Sequence, residues 1–171
     1  MSHGPLKISI IGLPGAGKTT IVHRLKFNTF LQRPKATIGV SAEIIELGDL
    51  RLVLWDVGGH ALQALWQQYR KGTKGILYVI DGANKDRFLE TQEQLKLIIS
   101  DDYLENIPIA ILVNKIDIAY QEIKKELIDA LLPNEKDERV KIYQTSSKTG
   151  EGINDAMIWI KKHIEIPEIK L

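Results

Sequence analysis

The 171-residue chain is 44% hydrophobic and 26% charged, the composition and length of one ordinary globular domain, which excludes a fibrous or disordered polypeptide. Its 23 basic and 22 acidic residues leave a formal charge of +1, so no broad electrostatic field favours nucleic acid. The lack of cysteine excludes disulfides, thiolate metal sites and thiol-linked lipid anchors, and no apolar run reaches the ~18 residues of a spanning helix. The expectation is a soluble, cytoplasmic protein in which residues 1–171 form a single domain.

Only Met1–Pro5 precede the first strand-like run, and residue 2 is Ser rather than the Gly of a myristoylation signal. Lys7–Ile11 is short and β-branched, as a doubly buried strand should be. It opens directly onto Gly12-Leu13-Pro14-Gly15-Ala16-Gly17-Lys18-Thr19-Thr20, from which a helix runs through Leu25. Strand, glycine loop, Lys-Thr and helix in that order make a phosphate-binding loop. Gly12, Gly15 and Gly17 let the backbone close on phosphate, and the N–H groups around Ala16 and Thr20 add partial positive charge at the helix start. Lys18 places a full charge near the β and γ oxygens, and Thr19 offers a hydroxyl to Mg²⁺. Pro14 departs from the usual pattern, removing one N–H donor and fixing its own φ.

Asn28–Lys35 shows no clean periodicity and reads as a switch loop leading to Ala36-Thr37-Ile38-Gly39. Thr37 can reach Mg²⁺ with its hydroxyl and the γ-phosphate with its backbone, contacts that vanish once that phosphate leaves. Ser41–Leu47 and Arg51–Asp56 are strand-like runs separated only by Gly48-Asp49-Leu50, too short for a crossover helix, so they form an antiparallel hairpin. In Trp55-Asp56-Val57-Gly58-Gly59-His60, Asp56 can hold a Mg²⁺-bound water, and Gly59 can bring its N–H to the γ-phosphate. Trp66 and Tyr69 follow at helical spacing, suited either to a core or to an exposed aromatic face.

Further along, Gly75–Asp81, Ile107–Val113 and Val140–Gln144 are again nearly all apolar and read as central parallel strands. Between and after them, Ile123, Leu127, Ala130 and Leu131, then Ile153, Met157, Ile160 and Ile164, line helical faces. The fold class is therefore α/β: a three-layer P-loop NTPase fold whose six-stranded, mostly parallel sheet has one antiparallel edge strand and helices on both faces. Ligands in such sheets bind beyond the carboxyl ends of the strands. Asn114-Lys115-Ile116-Asp117 lies at one such end and places an amide, an ammonium stem and a carboxylate at the crevice. The Asp117 carboxylate can accept hydrogen bonds from N1–H and the exocyclic amino group of guanine, donors that adenine does not present. Thr145-Ser146-Ser147-Lys148 ends the last strand and resembles the third base-binding loop of Ras-like proteins, which implies that the Ser147 N–H meets the guanine carbonyl oxygen.

The double glycine after Trp55-Asp56, with Trp66 and Tyr69 downstream, resembles the Arf/Sar family of small GTPases over Leu6–Ile164. His60 stands where Arf proteins carry glutamine and the Sar branch histidine. The resemblance implies a molecular switch that binds GTP with Mg²⁺, hydrolyses it to GDP and phosphate, and acts with effectors, exchange factors and GTPase-activating proteins, in settings such as membrane trafficking. By the same analogy His60 orients the attacking water, beside Lys18 and Gly59 in the catalytic set. Val40, where Arf proteins carry phenylalanine, Trp55, Trp66 and Tyr69 correspond to the family's effector patch. Arf and Sar proteins place an amphipathic helix before the first strand, which five residues cannot form, so peripheral membrane association has no visible anchor here. Two other readings fit parts of the pattern: a nucleotide-dependent binding module with negligible hydrolysis, kept open by Pro14 and His60, and a P-loop ATPase or kinase, against which Asp117 argues.

Overall fold

The computed structural model describes residues 5–35, 38–48, 50–57, 70–119, 129–131 and 137–164. Its elements in chain order are β1 (Leu6–Ile11), α1 (Lys18–Phe27), β2 (Val40–Leu47), β3 (Leu50–Val57), β4 (Thr73–Asp81), α2 (Phe88–Ile99), β5 (Ile109–Asn114), β6 (Val140–Gln144) and α3 (Ile153–His163). Single 3₁₀ turns at Lys85–Arg87 and Asp102–Leu104 flank α2.

The sheet order is β2-β3-β1-β4-β5-β6. β2 pairs antiparallel with β3 at the edge, and every other pairing is parallel, as the run lengths predict. Because side chains alternate across a strand, the apolar runs feed two cores. Ile8, Ile10, Leu77, Val79 and Leu112 pack on one face against Ile21 and Val22 of α1 and Ile153, Met157 and Ile160 of α3. Ile76, Tyr78, Ile80, Ile109, Ile111 and Val113 pack on the other against Leu95 and Ile98 of α2. Each of these fully buried aliphatic side chains contributes about 1.5–3 kcal/mol of transfer free energy. Several polar groups in the core are paired. Ser9 and Thr73 share a hydroxyl hydrogen bond at 2.8 Å, and the Tyr78 phenol donates to Gln94 Oε1 at 2.8 Å. Burial, and then the Glu90 charge, push the Tyr78 phenol above its ordinary range.

Several boundaries differ from the sequence expectation for local reasons. β5 begins at Ile109, not Ile107, because Ile107 N–H closes the preceding turn onto Leu104 O at 3.0 Å and Pro108 has no N–H to give. Leu47 pairs with Leu50, so the hairpin turn is two residues rather than three, entered through Gly48 at φ 60°. α1 runs two residues past Leu25 and stops where Asn28 turns left-handed, φ 53°, its N–H returning to Arg24 O at 2.8 Å. Leu131 is buried as expected, whereas Ala130 is exposed, and Ile123 and Leu127 lie outside the described residues.

At the far end of the sheet, Arg139 fastens β6 to α2. Its guanidinium donates to Leu104 O at 2.7 Å and Ile99 O at 3.2 Å, and its hydrogen bonds to Asp137 hold that carboxyl below its usual range. The parallel register sets the carboxyl ends of β4 and β5 side by side, Asp81 opposite Asn114, one strand over from the loop that follows β1. The described loops after β1, β4 and β5 therefore open at the same ends of the strands.

Candidate nucleotide-binding site

The loop after β1 takes its shape from contacts that only glycine permits. Gly12 sits at φ 151° with the Val79 carbonyl against it, and a Cβ there would lie 2.1 Å from that oxygen. Gly17, at φ 100°, faces Asn114, where a Cβ would lie 2.4 Å from Nδ2. α1 then starts with neither a side-chain cap nor an acidic residue in its first turn, so its N-terminal dipole remains available to an anion. Lys18 is buried at 6% exposure, and its ammonium donates to Gly12 O at 3.0 Å and Leu13 O at 3.2 Å, which holds the cation inside the curve of the loop. Thr19 is half-buried and Thr20 buried. The carbonyl of Pro14 accepts from Arg87 Nη1 at 3.0 Å, so the crest of the loop is tied to the turn before α2.

At the end of β5, Asn114 is completely buried and does not line the crevice. Its Nδ2 donates to Ala16 O at 3.0 Å, and its Oδ1 accepts from the Ser147 N–H at 3.0 Å. It is a brace between the phosphate loop and the 145–148 loop. The Ser147 N–H is thus already donated to Asn114, and a carbonyl brought to it would share that donor. Lys115, held left-handed at φ 65°, lies across the loop, donating to Gly15 O and to Asp81 Oδ2, each at 2.7 Å.

Asp117 is exposed at the crevice mouth, with one oxygen engaged. Ser146 Oγ accepts from the Thr149 N–H at 3.1 Å, which directs its own proton to Asp117 Oδ1 at 2.7 Å. The carboxylate is thereby oriented and its negative charge supported. Ser146 itself is fully buried, so it aims Asp117 rather than facing the crevice. The crevice has a volume of about 470 Å³, within the range of small-ligand sites. Lys18, Lys35, Lys115 and Lys148 line it together with Asp117, Ser147 and Thr19, and Phe30, Leu31 and Pro34 form an apolar wall. Four cations near a helix N-terminus suit phosphate, and one oriented carboxylate suits a hydrogen-bond-donating base.

Of the remaining sequence-derived residues, Asp56 lies in β3 opposite Ile10 of β1, and Val40 and Trp55 sit in the β2–β3 hairpin. Thr37, Gly59, His60, Trp66 and Tyr69 lie outside the described residues. Among the described residues, no group of three or more His, Asp or Glu could hold a metal, and no helix is long and apolar enough to cross a membrane. Sequence reading missed Asp81, Arg87 and Arg24. Arginines at ordinary helix and loop positions carry no local signal of the carbonyls they reach.

Residues 2–164 match the family model described as the ADP-ribosylation factor family. ADP-ribosylation factor-like protein 1 of Caenorhabditis elegans is 35% identical over 162 residues, covering 94% of this chain and 89% of that protein. The structure of the Arl6 BBS3 small GTPase from Trypanosoma brucei with bound nucleotide analogue GppNp shares the fold. It superposes with a TM-score of 0.76 at 22% identity, covering 92% of this chain and 96% of that one.

Proposed function

The chain belongs to the ADP-ribosylation factor family and is a GTP-binding switch that hydrolyses GTP, and from that premise we propose how its own residues do the work. The observation that carries the reading is the convergence of three loops on one crevice: the Gly12–Thr20 loop, Asn114–Asp117 with its carboxylate aimed by Ser146, and Ser147–Lys148. The first loop binds the α, β and γ phosphates through backbone N–H groups, the α1 dipole and Lys18. Asp117 selects guanine by accepting from N1–H and the 2-amino group, and the Ser147 N–H, shared with Asn114, meets the base carbonyl.

The hydroxyls of Thr19 and Thr37 are hard oxygen ligands of the kind that Mg²⁺ takes, Asp56 can hold a water on the ion, and Thr19 lines the crevice beside Lys18. These three would hold the ion, which when bound neutralises phosphate charge. Hydrolysis then depends mainly on placement and charge stabilisation. His60 orients the water, and Gly59 donates its N–H to the γ-phosphate. GTP draws Thr37 and Gly59 toward the phosphate and so presents Val40, Trp55, Trp66 and Tyr69 to effectors; loss of phosphate releases them. Exchange and activating proteins set the timing of the cycle at peripheral cytoplasmic sites.

The test is His60→Ala. Loss of a positioned proton-transfer or water-orienting group should slow single-turnover GTP hydrolysis by roughly 10²-fold or more. GDP affinity should stay within about threefold, since His60 is not a ground-state ligand. Turnover at the wild-type rate would remove His60 from the mechanism.

A further inference from the structure

Arg24 stands in the last turn of α1, and among the described residues none of its nitrogens is paired with a carboxylate; each donates to a backbone carbonyl. Nε donates to Ser147 O at 3.0 Å, Nη2 makes a close contact with Lys148 O, and Nη1 donates to Asn28 O at 3.0 Å. One guanidinium therefore ties together the exit of the phosphate-loop helix, the start of the 28–35 segment and the loop that faces the base. Arg24 itself does not line the crevice.

One of these carbonyls matters because of what lies on the other side of its peptide. The carbonyl of Lys148 and the N–H of Thr149 belong to one planar unit, so fixing the oxygen fixes the direction of the N–H. That N–H donates to Ser146 Oγ at 3.1 Å, and Ser146 Oγ in turn donates to Asp117 Oδ1 at 2.7 Å. The run from Arg24 through Lys148–Thr149 and Ser146 to Asp117 is continuous, and each bond polarises the next. Ser147 is held at both of its flanking peptides, its carbonyl by Arg24 and its N–H by Asn114.

We propose that Arg24 is a positioning residue for guanine recognition, aiming the Asp117 carboxylate through the Thr149 peptide and the Ser146 hydroxyl and slowing nucleotide release. The inference rests on the reading of Asp117 as the base-selecting group. The planar fork of Arg24 serves three carbonyls at once, whereas lysine at this position offers a point charge that cannot span them.

The test compares GDP with IDP, which lacks only the 2-amino group, in the wild type and in Arg24→Lys, Arg24→Ala and Ser146→Ala. Wild type should prefer GDP by about 10- to 100-fold, the worth of one hydrogen bond to a charged acceptor. Without that preference, the assignment of Asp117 fails, independently of Arg24. In Arg24→Ala, GDP dissociation should accelerate roughly tenfold and the GDP-to-IDP ratio should fall about threefold or more, with Arg24→Lys intermediate. In the Ser146→Ala background, the ratio should no longer respond to Arg24→Ala, because the run is already broken. If wild type discriminates but the ratio is unchanged in both Arg24 variants, or if the Arg24 and Ser146 effects on it simply add, Arg24 is only a structural strut and the proposal is overturned. Arg24→Lys keeps the test decisive if the alanine variant folds poorly.

Discussion

Replacing Asp117 with asparagine is expected to lower affinity for GDP and GTP by roughly 10²- to 10⁴-fold and to raise affinity for the xanthine nucleotides. In the proposed reading the carboxylate accepts from N1–H and the 2-amino group, and each hydrogen bond to a charged acceptor is worth about 1.5–3 kcal/mol. Asparagine keeps an oxygen for N1–H and for the Ser146 hydroxyl, which donates to Oδ1 at 2.7 Å in the native chain, but it turns an amino group toward the second position. There it repels the amino group of guanine and donates to the carbonyl that xanthine carries instead, so the preference inverts rather than merely weakening. Competition of GDP, XDP and ADP against a fluorescent GDP reporter measures this directly. Equal loss for GDP and XDP would mean that Asp117 supports the loop without reading the base.

The second large effect is expected for Lys18→Ala. Lys18 is 6% exposed and satisfies the carbonyls of Gly12 and Leu13, so its removal should cost about 1–3 kcal/mol of stability through those unpaired acceptors. The larger loss falls on binding, because the side chain places a full positive charge inside the loop curve. Two charge-assisted contacts to phosphate correspond to roughly 10²- to 10³-fold in GDP affinity or more. Thermal denaturation separates the two effects. The variant should melt lower than wild type without nucleotide, and GDP at a level that raises the wild-type Tm by several degrees should leave the variant's unchanged. A variant whose Tm rises with GDP as the wild type's does would exclude Lys18 as a phosphate ligand.

The features that were legible in the sequence are those whose chemistry is contiguous. The Gly12–Thr20 loop works through successive backbone groups and one lysine, so its residues appear in a row, and the strand before it and helix after it give the context. The parallel strands were readable because burial on both faces demands unbroken apolar runs, and the hairpin because Gly48 and its neighbours leave no room for a helix. Strand ends were less legible. The start of β5 depends on what Ile107 bonds to, a fact of the neighbouring turn.

The site was harder to read where a residue acts across the fold. Asn114 ends a strand whose side chains alternate between faces, and its inward orientation follows from the β4–β5 register rather than from its neighbours in sequence. Its amide therefore serves Ala16 and Ser147, far away in the chain, instead of the crevice. Arg24 reaches Ser147, and Arg87 reaches Pro14, by the same kind of long-range contact. Pro14, which reads in sequence as a lost donor with a fixed φ, offers its carbonyl as the anchor point for the loop crest.

The most direct test of the account is single-turnover hydrolysis by the wild-type chain, with GTP or ATP presented at equal concentration and Mg²⁺ either supplied or chelated. The account predicts phosphate release from GTP that follows one exponential, depends on Mg²⁺ and is undetectable from ATP over the same period. Comparable binding and cleavage of ATP, or GTP that stays bound and intact in the presence of Mg²⁺, would contradict it.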